Sequence, residues 1–458
     1  MMTTPVQTSA PATDVVIVGA GPAGASAAIA FAQQGARVTL VEGHPSAAAR
    51  FAGEWMHPPG VEALRSLGVD IDALAASQGY GFAIFGDDAA DPVCLPYDGG
   101  IGLARVHEEL VLHLREHAAA LNNVTYLPNH VLVGLQGNQV MLEDRTRSRG
   151  RSLRAGLIVG ADGRASKVRA ALGGPVASQH LSYIAGLELL DAPLPFEGLG
   201  HVFLGGPGPA LLYRIDERRI RACLDFPGTS SSAERKPAAV YAAFRRVLPP
   251  QLEPALRAAM EKPLAWAATG VRPRAFYGQR NVWLIGDAVG HVHPLSGVGM
   301  TFGITDAVAA ARADSLAAYR KDRDVHVAER LASVLYLAFS RKDASATRVR
   351  HGLLRMLRAS ARERSRTMRL LTSDDRASTS FADAFLRASA QVVLGGAGQS
   401  AARRQSWGQW AHQLREDASW LQWPLGACVP PVHSLWNSGF GLRTGQLKLA
   451  SNERNISR

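Results

Sequence analysis

Three glycines, spaced as Gly19-x-Gly21-x-x-Gly24, follow a short apolar run at residues 15–18 and precede an alanine-rich stretch at residues 23–34 that stops at Gly35. That spacing suits a diphosphate. The first glycine permits a tight turn, the second lets backbone approach the phosphates, and the third allows a helix to pack closely on a strand. Pro22 and Ala23 open a helix whose N-terminal amides and partial positive charge would face the phosphates. Residues 37–41 form a second apolar run that ends at Glu42, 18 residues after Gly24. An acid there accepts hydrogen bonds from an adenosine ribose. Strand, helix and acid together predict a dinucleotide site, without separating FAD from NAD.

Asp287 breaks that tie toward FAD. It follows the buried run Val282-Trp-Leu-Ile-Gly286, and an acid at the end of such a strand points at a ligand or caps the next helix. The segment His293-Pro294-Leu-Ser-Gly297-Val298-Gly299-Met300 comes next, and its backbone amides suit an anionic reduced flavin ring. A third apolar run, Leu157-Ile-Val-Gly-Ala-Asp162-Gly163, leads into Arg164, Ser166, Lys167 and Arg169. We expect a second phosphate-facing loop there, against the plainer reading of a turn before an exposed basic helix. His291 and His293 lie two residues apart with no acid beside them, so no metal site is expected.

The elements that must hold these segments follow from pattern and length. At 458 residues, 47% hydrophobic and 19% charged, the chain is globular and too long for one core. We expect an α/β protein. A polar tail covers residues 1–13. A discontinuous Rossmann-like FAD-binding domain covers 14–179 and 276–320, and includes part of the substrate-site wall near 75–105. An inserted β-sheet substrate domain covers 180–275, where runs at 183–189, 202–204, 210–215 and 221–226 read as strands. A C-terminal helical extension covers 321–458. Residues 300–318 read as one long helix, and the Gly/Ser stretch at 395–400 as a break. The net charge of +11 would suit nucleic acid, anionic lipid or an acidic protein, but no nucleic-acid motif accompanies it. Cys94, Cys223 and Cys428 form no metal or redox spacing, which suits reduced thiols in the cytoplasm. No apolar stretch reaches the roughly 18 residues that a membrane span needs.

The combination resembles the FAD-dependent monooxygenase superfamily with the para-hydroxybenzoate hydroxylase-like fold. Within it, the chain is most similar to squalene monooxygenase (squalene epoxidase) over residues 14–357. Leu95-Pro-Tyr97 resembles that family's IPY segment, and residues 207–215 its PSPxLxYQI strand. Leu224-Asp225 resembles the VD pair that follows, residues 286–300 the segment GDAxNxRHPLTGGGM, and residues 331–340 the helix pattern LAxxLYxxFS. The resemblance implies that Glu42 holds the ribose, that Arg50 and Arg105 approach the FAD, that Asp287 binds the ribityl chain, and that Tyr97 lines the reaction site. Read from the residues alone, the two arginines are equally well surface ion pairs. Gln78 lies near the position of the family's tyrosine-orienting glutamine. The chain departs from the pattern at Gly290, His291, Val292 and Val298, and lacks the family's terminal apolar helices.

The implied activity inserts one oxygen atom of O2, by epoxidation or hydroxylation, through a flavin C4a-hydroperoxide. Water must be excluded and an electron-rich carbon placed nearby. An apolar isoprenoid, polyene or polyketide-like substrate of secondary metabolism suits Tyr97 as its one polar anchor. A phenolic substrate would need a base or cation, for which only Arg214 and Arg221 offer themselves. NAD(P)H is the expected electron source, directly or through a reductase partner. A flavin reductase of isoprenoid double bonds, an aromatic hydroxylase and a flavoprotein docking scaffold stay open. A flavin halogenase would carry a Trp-x-Trp-x-Ile-Pro signature, which Trp420-Leu-Gln-Trp423-Pro does not match. The C-terminal apolar positions and the tryptophans at 407, 410, 420 and 423 suit helices packed on the body or lying on an anionic membrane surface, hence a cytoplasmic protein that is peripheral at the membrane if the second holds.

Overall fold

A computed structural model describes residues 13–46, 51–74, 77–86 and 91–402, with side chains to residue 392. Arg50, Cys428 and the four late tryptophans lie outside them. Among the described residues two large sheets both contribute to the lining of one cavity. The first has eight strands, with the order Gly278–Gln279, Val282–Leu284, Arg149–Gly160, Thr13–Val18, Val38–Glu42, Val124–Pro128 along its main path. Thr13–Val18 is flanked by parallel neighbours on both edges, Ile17 pairing with Leu40 and Val159. Val15, Val16, Ile17 and Val18 are all buried, which is why this strand reads as a continuous apolar run.

The parallel register brings three distant sequence segments to one end of the sheet. Gly19 N–H donates to Val41 O at 2.8 Å, Ala161 N–H to Val18 O at 2.8 Å, and Ile285 N–H to Gly160 O at 3.0 Å. Ligands in such sheets bind at the carboxyl ends of the strands. Helix Pro22–Gln33 begins in this turn and packs against His107–Ala119 and Gly299–Arg312. The glycine spacing is steric. Gly19 has φ +101°, and a Cβ on Gly24 would lie 1.8 Å from Gly19 O.

The second sheet has seven strands, ordered Ala265–Val271, Gln179–Leu190, Arg219–Pro227, Ala210–Arg214, Leu199–Phe203, Gly81–Phe85, Val93–Pro96. Two of them therefore come from before residue 100. Alternation along the strands divides its faces. Ala185, Leu187, Leu224, Phe226 and Leu212 form a core with Phe244 and Leu256 of the helices Pro237–Phe244 and Glu253–Ala259. Ile184, Cys223, Asp225, Leu211 and Tyr213 occupy the opposite face, toward the cavity.

The helices after the second sheet differ from their expected lengths. Residues 300–318 are not one helix: Gly299–Arg312 ends where Ala313 turns extended, and Ser315 caps a new helix, Leu316–Asp322, by accepting from Ala318 N–H. Helix Ser378–Ala402 runs through residues 395–400 without the expected break. Leu354, Leu357 and Met368 of the helices Ala344–Ala359 and Ala361–Thr372 are buried in a core shared with Phe82, Leu95 and Leu204, so this part of the extension packs on the body. Among the described residues no helix is long and apolar enough to cross a membrane.

A buried ion cluster joins the pieces. Asp306, on helix Gly299–Arg312, accepts from Gly286 N–H at 2.8 Å, Arg274 Nη2 at 2.5 Å and Arg323 Nε at 2.8 Å. All three side chains are less than 5% exposed. Replacing Asp306 by Ala leaves two guanidinium groups buried without their anion. We predict that D306A loses about 3–5 kcal/mol in urea denaturation; a loss under ~1 kcal/mol would show that the cluster is not holding the fold.

Candidate active site

A cavity of about 880 Å³ runs from the glycine turn to the second sheet. Gly19, Gly21, Pro22, Ala23, Glu42, Asp162, Gly286, Asp287, Pro294, Gly297, Gly299 and Met300 line it. The segments singled out in the sequence are thus brought together. Gly24 and Val298 stand behind the wall, Gly24 against Gly19 and Val298 buried among Phe302 and Leu331.

The cofactor end has the shape and donors for a dinucleotide. A Cβ on Gly21 or Gly299 would meet nothing within 4 Å, so both face open space. Asp162 Oδ2 accepts from the N–H groups of Lys167 and Val168, at 2.6 and 3.1 Å, while its Oδ1 is buried with no partner in the protein. Asp287 is one-third exposed and accepts from Arg164 Nε at 3.3 Å. Glu42 accepts from Ala20 N–H and His44 N–H, both at 2.8 Å, and pairs with Arg115 at 2.9 Å. Carboxylate oxygens accept more than one bond each, so Glu42 keeps capacity for ribose hydroxyls.

Arg115 is the arginine that the sequence reading missed. Its guanidinium also donates to Ala20 O at 2.7 Å and to the carbonyls of His44 and Pro45, tying the glycine turn to Glu42. A signal existed: it shares the buried stripe of helix His107–Ala119 with Leu110, Val111, Leu114 and Ala118, where an apolar residue belongs. Arg105 does not line the cavity; it pairs with Glu109.

Tyr97 does not line the cavity either. Trp55 stands between, and its Nε1–H donates to the Tyr97 hydroxyl at 2.9 Å. The hydroxyl reaches His57 Nδ1 at 2.8 Å, and His57 Nε2 lies 2.9 Å from Ser296 O. A carbonyl only accepts, so Nε2 carries the proton and Tyr97 donates to Nδ1. Burial pushes the Tyr97 phenol well above its usual range. Gln78 takes no part, since it accepts from Tyr80. His57 orients Tyr97 instead, and no spacing rule would have found it. Trp55 packs edgewise on Tyr213 and tilted on Phe82, forming an aromatic wall next to Gly297.

The end of the cavity against the second sheet is mainly apolar, built from Ile184, Pro209, Leu211, Tyr213, Ala267 and Leu295. Cys223 also faces it, with a thiol that burial pushes up to about 12. Arg221, Arg214 and Arg219, all on this sheet, are engaged, Arg219 with Asp216 and Glu109. Arg221 binds Glu54 through two bonds of 2.7 and 2.8 Å and also Glu188; Arg214 binds Glu197.

Two measurements follow. Gly21→Val should fold with an unchanged melting temperature yet lose FAD affinity by at least about 100-fold, because its side chain fills the open cradle. FAD binding equal to wild type would place the diphosphate elsewhere. The second concerns pH. Burial, which dominates, lowers His57, His201 and His291 from 6.5 to about 4. The unfolded chain protonates them below about 6.5 and the folded one below about 4. Between those values the unfolded state holds more protons, so stability falls as pH falls. The melting temperature should drop across that window, and His57→Gln should flatten the slope; an unchanged slope would mean His57 is not held neutral.

A family model described as "FAD binding domain" matches residues 12–324. Squalene epoxidase erg1 of Aspergillus fumigatus is 35% identical over 313 residues, covering 64% of this chain and 65% of that protein. Squalene monooxygenase of Mus musculus is 28% identical over 306 residues, covering 64% and 53%. The matched segment thus spans about half to two-thirds of each of these curated relatives. Among solved structures, Pseudomonas aeruginosa PqsL with 2-aminobenzoylacetate superposes with a TM-score of 0.60 at 23% identity, covering 80% of this chain and all of that one. p-Nitrophenol 4-monooxygenase PnpA of Pseudomonas putida gives 0.62 at 20% identity, covering 80% and 98%. The family match spans the glycine turn, the Asp162 loop and Asp287, and covers more than half of the sequence: this chain belongs to the FAD-binding domain family.

Proposed function

We propose that the protein is an FAD-dependent monooxygenase that inserts one oxygen atom of O2 into an apolar isoprenoid, polyene or polyketide-like molecule. The observation that carries this reading is the continuity of the cavity: the open face at Gly21 and Gly299 passes without a partition into the apolar face of the second sheet. FAD, when bound, supplies the activation of O2. Gly21 and the helix from Pro22 would hold its diphosphate, Glu42 its ribose, Asp162 and Asp287 the middle of the molecule, and the turn from Pro294 its ring. The chain's own task is then to orient the substrate and to exclude water, which the wall of Trp55, Tyr213, Leu211 and Phe302 suits.

The same face supports an apolar substrate over a phenol. A phenolate would want a free cation, and Arg221 and Arg214 are spent on Glu54, Glu188 and Glu197. Tyr97 acts behind Trp55 as a support in this reading, and does not anchor the substrate. NAD(P)H is the electron source in this proposal, directly or through a reductase. Cytoplasmic placement with peripheral membrane contact belongs to it too, and rests on exposed Arg355, Arg362 and Arg369 along the C-terminal helices.

The test is a single turnover. FAD-loaded protein, reduced without oxygen, is mixed with labelled O2 and with squalene, shorter polyenes or phenols. The proposal expects one labelled oxygen atom in an apolar product and none in the phenols. Saturation of a double bond without O2 would instead make the protein a reductase, and labelled phenols would make it an aromatic hydroxylase.

A further inference from the structure

Asp225 sits on the cavity face of the second sheet with its side chain 3% exposed. Its Oδ1 accepts from the Tyr336 hydroxyl at 3.2 Å, and its Oδ2 has no hydrogen-bond partner. His293 Nε2 lies 3.6 Å from that oxygen. The imidazole is held on several sides. Its Nδ1 accepts from Leu295 N–H at 3.2 Å, its Nε2 is 2.9 Å from Ser182 Oγ, and its ring stacks on Tyr336 with centroids 3.6 Å apart.

The proton positions follow from these partners. Nδ1 must be bare to accept from Leu295, so the neutral ring carries its proton on Nε2. Thr269 donates its hydroxyl proton to Ser182 O, which leaves the Ser182 hydroxyl to donate to Thr269 Oγ1 at 2.6 Å. Nε2–H then points at Ser182 Oγ, with Asp225 Oδ2 beside it. A serine hydroxyl can donate or accept, whereas a carboxylate only accepts. Asp225 is therefore the group that makes a bare Nε2 unfavourable.

His293 also precedes the turn that bounds the cofactor end. His293 O accepts from Ser296 Oγ at 3.1 Å, Gly297 N–H donates to Pro294 O at 2.9 Å, and Gly297 closes the turn at φ +67°. Moving the ring proton to Nδ1 would set two donors against each other at Leu295 N and open the turn. We propose that Asp225 is a positioning residue: it selects the Nε2–H tautomer of His293 and so fixes the backbone of Pro294–Gly297 for the flavin ring, with Tyr336 as its brace. The link to the cofactor rests on the flavin placement proposed above.

The test uses the full-length, FAD-loaded protein labelled with nitrogen-15 histidine, the His293 signals being identified by their loss in His293→Gln. Asp225→Asn should show a mixture of His293 tautomers, and FAD should bind about tenfold more weakly, the equivalent of one buried hydrogen bond. Ser182→Ala, which leaves Asp225 as the acceptor beside Nε2, should keep both the wild-type tautomer and wild-type affinity. A wild-type nitrogen spectrum in D225N overturns the proposal, and so does loss of the tautomer in S182A. A tautomer change in D225N with unaltered FAD affinity overturns the link to the cofactor. None of these readouts needs turnover, so an enzyme that oxygenates no tested substrate would sink the proposed function and leave this inference standing.

Discussion

The site depends on one buried carboxylate. Asp306 receives the amide of Gly286 and the guanidinium groups of Arg274 and Arg323. Gly286 follows strand Val282–Leu284 and precedes Asp287, Arg274 lies just past the second sheet's strand Ala265–Val271, and Arg323 ends helix Leu316–Asp322. Three separate segments between residues 274 and 323 converge on two oxygen atoms. A buried ion cluster is an uneconomical way to gain stability, since desolvation offsets most of the attraction. Its value is geometric. It fixes where the turn after Val282–Leu284 stands relative to helix Gly299–Arg312, and the two together bound the cofactor end of the cavity.

From that fixed corner the cavity follows by alternation. One face of the second sheet packs against the helices Pro237–Phe244 and Glu253–Ala259, and the other borders the cavity. Period-two spacing then sends Ile184, Leu211, Tyr213, Cys223, Asp225, Ala267 and Thr269 of four adjacent strands to the cavity. Those positions are mainly Ile, Leu, Cys, Tyr and Ala. The polar exceptions are spent on partners inside the wall: Thr269 and Ser182 on each other, Asp225 on Tyr336, Arg221 on Glu54. What remains there is apolar surface bounded by aromatic rings, continuous with the open face at Gly21 and Gly299.

Much of this was legible in the sequence because local patterns encode it. The glycine spacing, the alanine-rich helix, the run ending at Glu42 and the strands of residues 183–226 each state their geometry within a dozen residues. The break that splits the expected helix over residues 300–318 was not, because Ser315 looks like any exposed serine until its hydroxyl is seen capping Ala318. Residues whose roles depend on partners far along the chain were the harder class. His57 serves Tyr97 and Ser296, 40 and 239 positions away, and no pattern of neighbours announces that. Arg115 was within reach, as a charge on an apolar stripe. Tyr97 was found by resemblance, yet Trp55 takes the cavity wall in front of it.

The most direct test of the account is an anaerobic titration of the oxidised flavoprotein with a long polyene, followed through the visible absorbance of the flavin. If cofactor and substrate share one cavity, the flavin bands shift and saturate with one polyene per flavin. Bands that stay unmoved while the polyene binds, measured separately by equilibrium partition, would put the two ligands in different sites and contradict the account.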